Sequence, residues 1–325
     1  MISEKNIFIT GASGFIGRAL CKQLYSSKII TGIDLVKKPS CLPEINWIKL
    51  DLNDYALLQT NCKQYHPGVA IHCAGIAHQK IGAFDASTYM KVNSEATENL
   101  AKVASVNNPK LHFIFLSTIS VYGETNLDQP VIEDAANNPS SDYAFSKLDA
   151  ERRLIQLYEK GFLHKLTILR LAPVYDYKFR LNIERRVFGP KKITYVKFGS
   201  GHQTMSALSR SNLVEFVAYL LKRPDDKRNM EIMNVSDAKP YSFYEIIQAV
   251  KNSGLYPKKP TVSIPLPAIW AVTRIAGFFI RNQKQWLHSC YEKVASDLVF
   301  DNSRMLQTGF KPQHTLNSVF SIENK

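Results

Sequence analysis

The chain begins with short apolar segments that alternate with longer segments in which apolar positions recur every three or four residues. The short segments predict strands, and the periodic segments predict helices. Strands are predicted at residues 6–10, 29–34, 47–50, 69–73, 111–117 and 166–171, and helices at residues 15–26, 85–106 and 143–158. This alternation is typical of parallel βαβ units, so we predict an α/β fold with a doubly wound parallel sheet.

The alternation weakens after about residue 175, where prolines and short segments become frequent. We therefore predict a sheet domain over residues 1–175 and a mostly separate, smaller lobe over residues 176–325. The lobe can return a strand or a helix to the sheet. A chain of 325 residues is long enough for either one large domain or two closely associated ones.

Residues 264–280 form the longest apolar segment, interrupted by Pro265, Pro267 and Arg274. The segment is shorter than the roughly 20 residues that a membrane-spanning helix needs. The pattern favours a core helix. A surface helix that rests on a membrane or on a partner is the alternative, because Trp270 and Arg274 are typical of such helices.

The charge is strongly positive, with 41 Lys and Arg against 28 Asp and Glu and a formal net charge of +13. The basic residues are scattered, and no basic amphipathic recognition helix is present, so we expect attraction to anionic metabolites and no nucleic-acid partner. None of the five cysteines has metal-ligand or CxxC spacing. This usage favours a reducing cytoplasm and no metal.

A glycine-rich turn, Gly11-Ala-Ser-Gly14-Phe-Ile-Gly17, directly follows the first predicted strand and opens the first predicted helix. Such a turn lets the backbone approach a pyrophosphate, which the free N–H groups and the dipole of the helix N-terminus then attract. The spacing is GxxGxxG rather than GxGxxG. The turn therefore indicates a dinucleotide site only in combination with other residues.

Asp34 supplies that combination, because it ends the second predicted strand, 17 residues after Gly17. A carboxylate at this position can accept hydrogen bonds from the ribose hydroxyls of adenosine and repels a 2′-phosphate. We therefore predict NAD as the cofactor. Lys37 and Lys38 follow closely and leave NADP open.

The strongest chemical signal is Tyr143-Ala-Phe-Ser-Lys147, in which the phenol and the ammonium share one face of a helix. A nearby cation lowers the pKa of a tyrosine, which can then exchange a proton with a substrate hydroxyl. Thr118 lies at the carboxyl end of a predicted buried strand, where ligands bind in such folds. Its hydroxyl could orient the substrate oxygen beside the tyrosine.

Together these motifs resemble the extended short-chain dehydrogenase/reductase family, the NAD-dependent group of nucleotide-sugar epimerases, dehydratases and reductases. The matching positions follow in order: residues 10–17, Asp34, Asp51-Leu52, residues 71–75, Asn93 with Thr97, residues 117–123, Tyr143 with Lys147, and Arg170. The resemblance is strong over about residues 5–175 and loose beyond. It implies a Rossmann-type sheet that binds NAD and carries the catalytic residues, with a smaller C-terminal substrate-binding lobe.

The resemblance also implies roles for individual residues. The implied catalytic residues are Thr118, Tyr143 and Lys147. The implied cofactor-binding residues are Gly11, Ser13, Gly14, Phe15, Ile16, Gly17, Asp34, Asp51, Leu52, Cys73, Ala74, Gly75, Asn93, Ser117, Tyr143 and Lys147. Candidate substrate contacts are Ser120, Arg180, Arg185 and Arg210, although for each arginine the pattern favours a solvated surface residue. A homodimer is expected by the same resemblance.

Two departures narrow the function. Sugar 4,6-dehydratases carry an Asp-Glu pair after the catalytic threonine, whereas Ile119 and Ser120 follow it here, which disfavours a dehydratase. The phosphate-binding arginine typical of the second half is displaced to Arg210. The leading hypothesis is an NAD-dependent epimerase or ketoreductase that acts on a nucleotide-sugar. The alternatives are an NAD(P)-dependent dehydrogenase of an apolar, steroid-like or lipid alcohol, and a non-catalytic nucleotide-binding scaffold.

Overall fold

A computed structural model describes residues 6–77, 84–123, 130–223, 227–279, 291 and 295–321. Its strands are β1 Asn6–Thr10, β2 Ile30–Asp34, β3 Asn46–Lys49, β4 Pro67–His72, β5 His112–Thr118, β6 Lys165–Leu171, β7 Val174–Tyr175, β8 Tyr195–Phe198, β9 Thr204–Met205, β10 Leu208–Ser209, β11 Asn229–Val235, β12 Tyr241–Ser242 and β13 Thr261–Ile264. Its α-helices are α1 Phe15–Leu24, α2 Tyr55–Tyr65, α3 Ala86–Met90, α4 Ala96–Asn107, α5 Asp142–Glu159, α6 Leu181–Val187, α7 Arg210–Leu220, α8 Phe243–Asn252, α9 Leu266–Phe279, α10 Ser303–Gln307 and α11 Leu316–Val319. A π-helical turn joins α3 to α4, and a 3₁₀ turn follows β5.

Seven strands form one sheet in the order β11-β6-β5-β4-β1-β2-β3. Strand β1 pairs in parallel with β2 and β4, and parallel pairing continues from β2 to β3 and from β4 to β5. The strand order reverses between β1 and β4, which is the place where ligands bind in folds of this kind. The predicted α/β fold with a doubly wound parallel sheet is confirmed.

The sheet is buried because helices pack on it. Helices α2, α4 and α5 cover one face through a cluster that includes Phe8, Leu58, Leu100, Phe113 and Leu154. Every residue of β4 and of β6 is buried. This burial explains why these strands have apolar runs without alternation in the sequence.

The structure adds elements that the sequence pattern did not predict. Helix α2 has weak periodicity, but Asp54 directly precedes it, and the Asp54 side chain accepts from the Leu57 N–H and so caps the first turn. Strand β11, by contrast, is a strand that the second half of the chain returns to the edge of the sheet, as the sequence allowed.

The preference for a core helix over residues 264–280 was wrong. Helix α9 covers most of the segment, and each side chain from residue 266 to residue 276 is exposed or only partly buried. The side chains of residues 277–279 and all of Ile280 lie outside the description. Periodicity records which residues are apolar, whereas burial also needs an element that covers them.

Contacts between Cα atoms divide the chain into two units. Unit 1 comprises Met1–Val121, Asn137–Arg170 and Val214–Met233, and it contains most of the large sheet. Unit 2 comprises Tyr122–Ala136, Leu171–Leu213 and Asn234–Lys325. It contains three pairs of short strands, β7 with β10, β9 with β12, and β8 with β13. The chain therefore passes between the units several times.

A buried histidine connects the ends of β1 and β4 to the helix behind them. His72 Nδ1 lies 2.7 Å from Thr10 Oγ1, and His72 Nε2 lies 2.8 Å from Thr97 Oγ1. The Thr97 hydroxyl donates to the Asn93 carbonyl, and Thr10 Oγ1 accepts from the Ala74 N–H. These partners assign the proton of a neutral His72 to Nε2, because Thr97 has already used its own hydrogen. Burial lowers the pKa of His72 to about 3.

A buried ion pair fixes α5 against β5 and β6. Arg170 Nη2 lies 2.7 Å from Glu151 Oε2, and the side chains are 4% and 1% exposed. The Arg170 Nε–H also faces the carboxylate, and the Ser117 hydroxyl donates to Glu151 Oε1. Because three elements meet at this carboxylate, the pair sets the position of α5 on the sheet.

The first prediction concerns stability and pH. The pKa of His72 is 6.5 in the unfolded chain and about 3 in the folded protein. As the pH falls between these values, the unfolded state binds a proton that the folded state does not. The group should therefore lower the free energy of unfolding by about 1.4 kcal/mol per pH unit. Urea unfolding of the wild type and His72→Gln across this range should give a steeper decline for the wild type; parallel declines would contradict the assignment.

The second prediction concerns the ion pair. Glu151→Ala leaves the Arg170 guanidinium buried without its carboxylate, and we expect a loss of about 3–5 kcal/mol in the free energy of unfolding. Glu159→Ala, at an exposed position of the same helix, is the control and should change it by less than about 0.5 kcal/mol. Denaturant unfolding measures both variants. Equal values would mean that the pair does not stabilise the fold.

Candidate active site

The glycine turn after β1 is closed tightly on itself and on the segment after β4. A Cβ atom at Gly11 would lie 2.8 Å from the Ala74 nitrogen, and one at Gly17 would overlap the Gly11 carbonyl oxygen. Gly11 also has a φ of +62°, which favours glycine. Gly14 is the N-cap of α1 and has no side chain over the first turn, which starts with Phe15 and Ile16. Backbone N–H groups therefore line this end of the helix.

Asp34 lies beside the same turn. Its Oδ2 accepts from the Ser13 N–H at 2.9 Å, and its Oδ1 accepts from the Leu35 N–H at 2.8 Å. The carboxylate therefore connects the end of β2 to the glycine turn. Because a carboxylate has about four lone-pair sites, it retains acceptor capacity for the hydroxyl groups of a ribose.

Asp51 and Leu52 follow β3. The Asp51 side chain is exposed and accepts from the Asn53 N–H at 2.9 Å, which forms a turn before α2. Leu52 is buried. Both residues therefore lie just beyond the carboxyl end of β3, the strand that pairs with β2.

Asn93 holds the segment that follows β4. Its Oδ1 accepts from the Ile76 N–H at 2.8 Å, and its Nδ2 donates to the Ile76 carbonyl and to Ser146 Oγ. Asn93 lies in the π-helical turn, an irregularity that often occurs at functional sites. A Cβ atom at Gly75 would lie 2.8 Å from Asn93 Oδ1. Cys73, Ala74 and Gly75 are therefore held as a backbone surface beside α5.

The end of β5 carries three hydroxyl groups with different surroundings. Ser117 faces the buried carboxylate of Glu151. Thr118 is buried, and its Oγ1 donates to Ser120 Oγ and accepts from the Ser120 N–H, both at 3.2 Å. Thr118 also shares a side-chain hydrogen bond with Tyr143. The threonine and the tyrosine can therefore contact one oxygen atom together.

Tyr143 is half-buried beside Thr118 and Tyr89. Burial raises the pKa of Tyr143 to about 12, although the hydrogen bond with Thr118 opposes this shift. The ring of Tyr89 lies edge-on at 6.5 Å between centroids. The sequence-based expectation of a lowered pKa was wrong for the protein alone, because desolvation of the phenolate outweighs the other effects.

Lys147 lies one helical turn after Tyr143 and is buried. Its Nζ donates to the Leu116 carbonyl at 2.9 Å and lies 4.6 Å from the centroid of the Phe115 ring. It is also 3.6 Å from the position that a Cβ at Gly75 would take. Burial lowers the pKa of Lys147 to about 8, and the carboxylate of Glu151 opposes this shift.

Unit 1 thus brings together the glycine turn, Asp34, the segment after β4, and the Thr118, Tyr143 and Lys147 side chains. The backbone cradle suits a pyrophosphate, the carboxylate suits a ribose diol, and the three side chains suit proton exchange with a hydroxyl group. Among the described residues, no cluster of His, Cys, Asp and Glu is arranged to hold a metal ion. The chemistry that suits the backbone cradle, the Asp34 carboxylate and these three side chains is hydride transfer with a dinucleotide.

The candidate phosphate-binding arginines lie in unit 2 and have protein partners or are exposed. Arg180 pairs with Glu184 and donates to Tyr256 Oη at 3.0 Å. Arg210 pairs with Asp176 at 2.8 Å, whereas Arg185 is exposed. Their contact with a substrate stays a prediction.

Three residues with structural importance had been given no role from the sequence. His72 stands out in the apolar run 69–73 as a polar residue in a buried strand. Glu151 is four residues after Lys147 and therefore on the same helix face. Tyr89 could not have been found in this way, because its contact with Tyr143 is made between helices.

Comparison with known proteins identifies the family of this chain. The model of the NAD dependent epimerase/dehydratase family matches residues 7–236. The chain is 29% identical to the UDP-glucose 4-epimerase of Vibrio cholerae, over 97% of this chain and 93% of that protein. It is 26% identical to the N-acetyl-alpha-D-glucosaminyl-diphospho-ditrans,octacis-undecaprenol 4-epimerase of Escherichia coli O157:H7, over 96% and 92% respectively.

Solved structures show the same fold. The UDP-glucose 4-epimerase of Thermotoga maritima with UDP-glucose has a TM-score of 0.72 at 19% identity, covering 98% of this chain and 96% of that one. The UDP-glucuronic acid 4-epimerase of Bacillus cereus in complex with NAD has a TM-score of 0.69 at 22% identity, covering 98% and 96%. The chain belongs to the NAD dependent epimerase/dehydratase family and is an enzyme of the extended short-chain dehydrogenase/reductase type.

Proposed function

We propose that this protein is an NAD-dependent 4-epimerase of a sugar that is attached to a diphosphate. The observation that carries the proposal is the hydrogen-bonded pair of Thr118 and Tyr143, one helical turn from a buried lysine. The full-length similarity to the Vibrio cholerae UDP-glucose 4-epimerase supports a nucleotide-sugar as the substrate. Residues 1–175 would mostly bind the cofactor and residues 176–325 mostly the substrate.

NAD, when bound, supplies a hydride acceptor and donor. The glycine turn would hold its pyrophosphate, and Asp34 would accept hydrogen bonds from the adenosine ribose. Lys147, which lies beside Gly75, would donate to the second ribose. Asn93 would act by positioning the Cys73–Gly75 backbone, because its amide is already bonded to Ile76 and Ser146.

Tyr143 would be the acid/base that transfers the proton. Thr118 would donate to the C4 oxygen of the sugar, and the Tyr143 phenolate would remove the hydroxyl proton as the hydride leaves C4. After the keto sugar has turned over in the site, return of the hydride to the opposite face of C4 and of the proton to the C4 oxygen gives the epimer. Because burial holds the pKa of Tyr143 at about 12 in the protein alone, the phenolate needs positive charge nearby. The ammonium of Lys147 is the cation that α5 provides.

The residues beside Thr118 favour epimerisation over dehydration. Elimination of water from C6 needs an acid near that carbon. Ile119 and Ser120 follow the threonine, and neither can provide it.

A second candidate substrate is a sugar linked to a polyprenyl diphosphate. The Escherichia coli relative with that specificity is similar over nearly the whole chain, and helix α9 exposes an apolar side to the surroundings. The same residues of unit 1 would perform the same proton and hydride transfer. Only the group beyond the diphosphate differs.

The test is conversion of UDP-glucose to UDP-galactose without added cofactor, followed by chromatography, together with analysis of nucleotide released on denaturation. We expect interconversion and close to one NAD per chain, because the hydride returns to the substrate. Tyr143→Phe should lower turnover by about 10²- to 10⁴-fold and leave NADH affinity nearly unchanged.

Tyr158→Phe is the matched control, because it removes a phenol from the same helix, outside the Thr118–Tyr143 pair. It should keep full turnover. If Tyr143→Phe also keeps full turnover, Tyr143 is not the acid/base. If UDP-glucose is inert but a polyprenyl-diphosphate sugar reacts, the second substrate is correct.

A further prediction concerns cofactor choice. Asp34→Asn removes the charge that repels a 2′-phosphate and weakens the bonds to the ribose diol. We expect NADH affinity to fall about 10- to 100-fold relative to NADPH affinity, which corresponds to about 1.5–3 kcal/mol for charged hydrogen bonds. Fluorescence titration with both cofactors measures the ratio. Glu159→Gln, which neutralises an exposed carboxylate at the far end of α5, is the control. An unchanged ratio in Asp34→Asn would mean that Asp34 does not bind the adenosine ribose.

A further inference from the structure

Helix α9 in unit 2 has an apolar sequence but no buried side chain between residues 266 and 276. Val272 is 65% exposed, Ile275 61% and Trp270 49%. Val272 and Ile275 are three residues apart and therefore lie on one side of the helix. Exposed apolar residues are ordinary when scattered, whereas a contiguous group on one helix marks a contact surface.

Another part of the exposed surface of α9, more than a quarter turn around the helix from Val272 and Ile275, is cationic. The Arg274 guanidinium lies 5.2 Å from the centroid of the Trp270 ring, one helical turn away. A tryptophan beside an arginine is typical of helices that lie at the boundary between lipid acyl chains and headgroups. The ring is amphipathic, and the arginine stem can extend along the apolar surface while its charge remains in the headgroup layer.

The strands next to α9 have the same charge. Strand β13 precedes the helix and pairs in parallel with β8, and a Cβ at Gly199 after β8 would contact the Leu266 side chain at 3.0 Å. Residues 185–214 contain six Lys and Arg and no acidic residue, and residues 246–279 contain four and none. Two acid-free segments are therefore hydrogen-bonded neighbours in unit 2.

Exposed apolar side chains accompany these charges on the strands. Val262 of β13 is exposed, and Ile193, exposed as well, lies just before β8 between Lys192 and Lys197. Lys192 pairs with Glu184 of α6, so part of this charge is neutralised within unit 2. The surface made of α9, β13 and the segment 191–198 combines apolar and basic residues.

We propose that this surface docks on an anionic lipid bilayer, with α9 lying in the headgroup layer. Within the described part of the chain, no helix is long and apolar enough to cross a membrane. A second copy of the chain fits less well. A symmetric dimer places the same patch on both sides of the interface, so the basic residues would face one another. The anionic bilayer satisfies both the charge and the exposed apolar side chains.

The test is flotation of the full chain with vesicles of phosphatidylethanolamine and phosphatidylglycerol, compared with vesicles of phosphatidylcholine alone. We expect binding to the anionic vesicles that weakens at high salt. The double variant Val272→Glu with Ile275→Glu should lower the bound fraction at least ten-fold. The matched control is Leu57→Glu with Val106→Glu, which adds the same charge to exposed apolar positions on helices of unit 1 and should bind as the wild type does.

Each variant is also assayed for conversion of UDP-glucose. This assay shows whether the variant is folded, and it tests the proposed function separately, because vesicle binding does not require the substrate. Equal binding of both double variants would overturn the proposal. So would absence of binding by the wild type, or equal binding to both kinds of vesicle. A concentration-dependent dimer that is lost only in Val272→Glu with Ile275→Glu, without vesicle binding, would assign the surface to a second copy instead.

Discussion

The buried ion pair between Glu151 and Arg170 is the interaction on which the candidate active site depends. The carboxylate meets a guanidinium from β6 and a hydroxyl from β5 inside a region from which water is excluded. An isolated charge there would be very unfavourable, so the three groups must keep this arrangement. This arrangement sets the position of α5 on the sheet. It therefore also sets where Tyr143 and Lys147 lie relative to Thr118.

A second hydrogen-bond network, made of neutral groups, holds the backbone that follows β4 in place. His72 connects Thr10 to Thr97, and Asn93 then connects the helix turn to Ile76 and α5. All of these groups are satisfied by partners within unit 1, which makes the backbone after β4 a rigid surface. The same burial that favours such networks changes the acidity of the reactive groups. It lowers the pKa of Lys147 and raises that of Tyr143, so each is biased towards its neutral form.

Unit 2 differs in what it presents to its surroundings. Unit 1 buries a large apolar cluster between the sheet and its helices, whereas unit 2 carries a helix, α9, that is apolar in sequence and exposed beside basic strands. Unit 2 nevertheless has a core of its own, which includes Tyr175, Tyr195 and Phe243. The exposure of α9 is therefore a local property of one surface and not a sign of a poorly packed unit.

The sequence by itself determined the α/β class, most strand and helix positions in the first half, and the grouping of the glycine turn, Asp34 and the Tyr143 helix. These features follow from local periodicity and from a topological rule that brings the carboxyl ends of parallel strands together. Tertiary structure alone decided the partners of Glu151, the protonation of His72, the direction of the Tyr143 pKa shift and the exposure of α9. Each of these depends on desolvation and on contacts between residues distant in sequence. Hydrophobic periodicity carries no information on which element, if any, covers a given side chain.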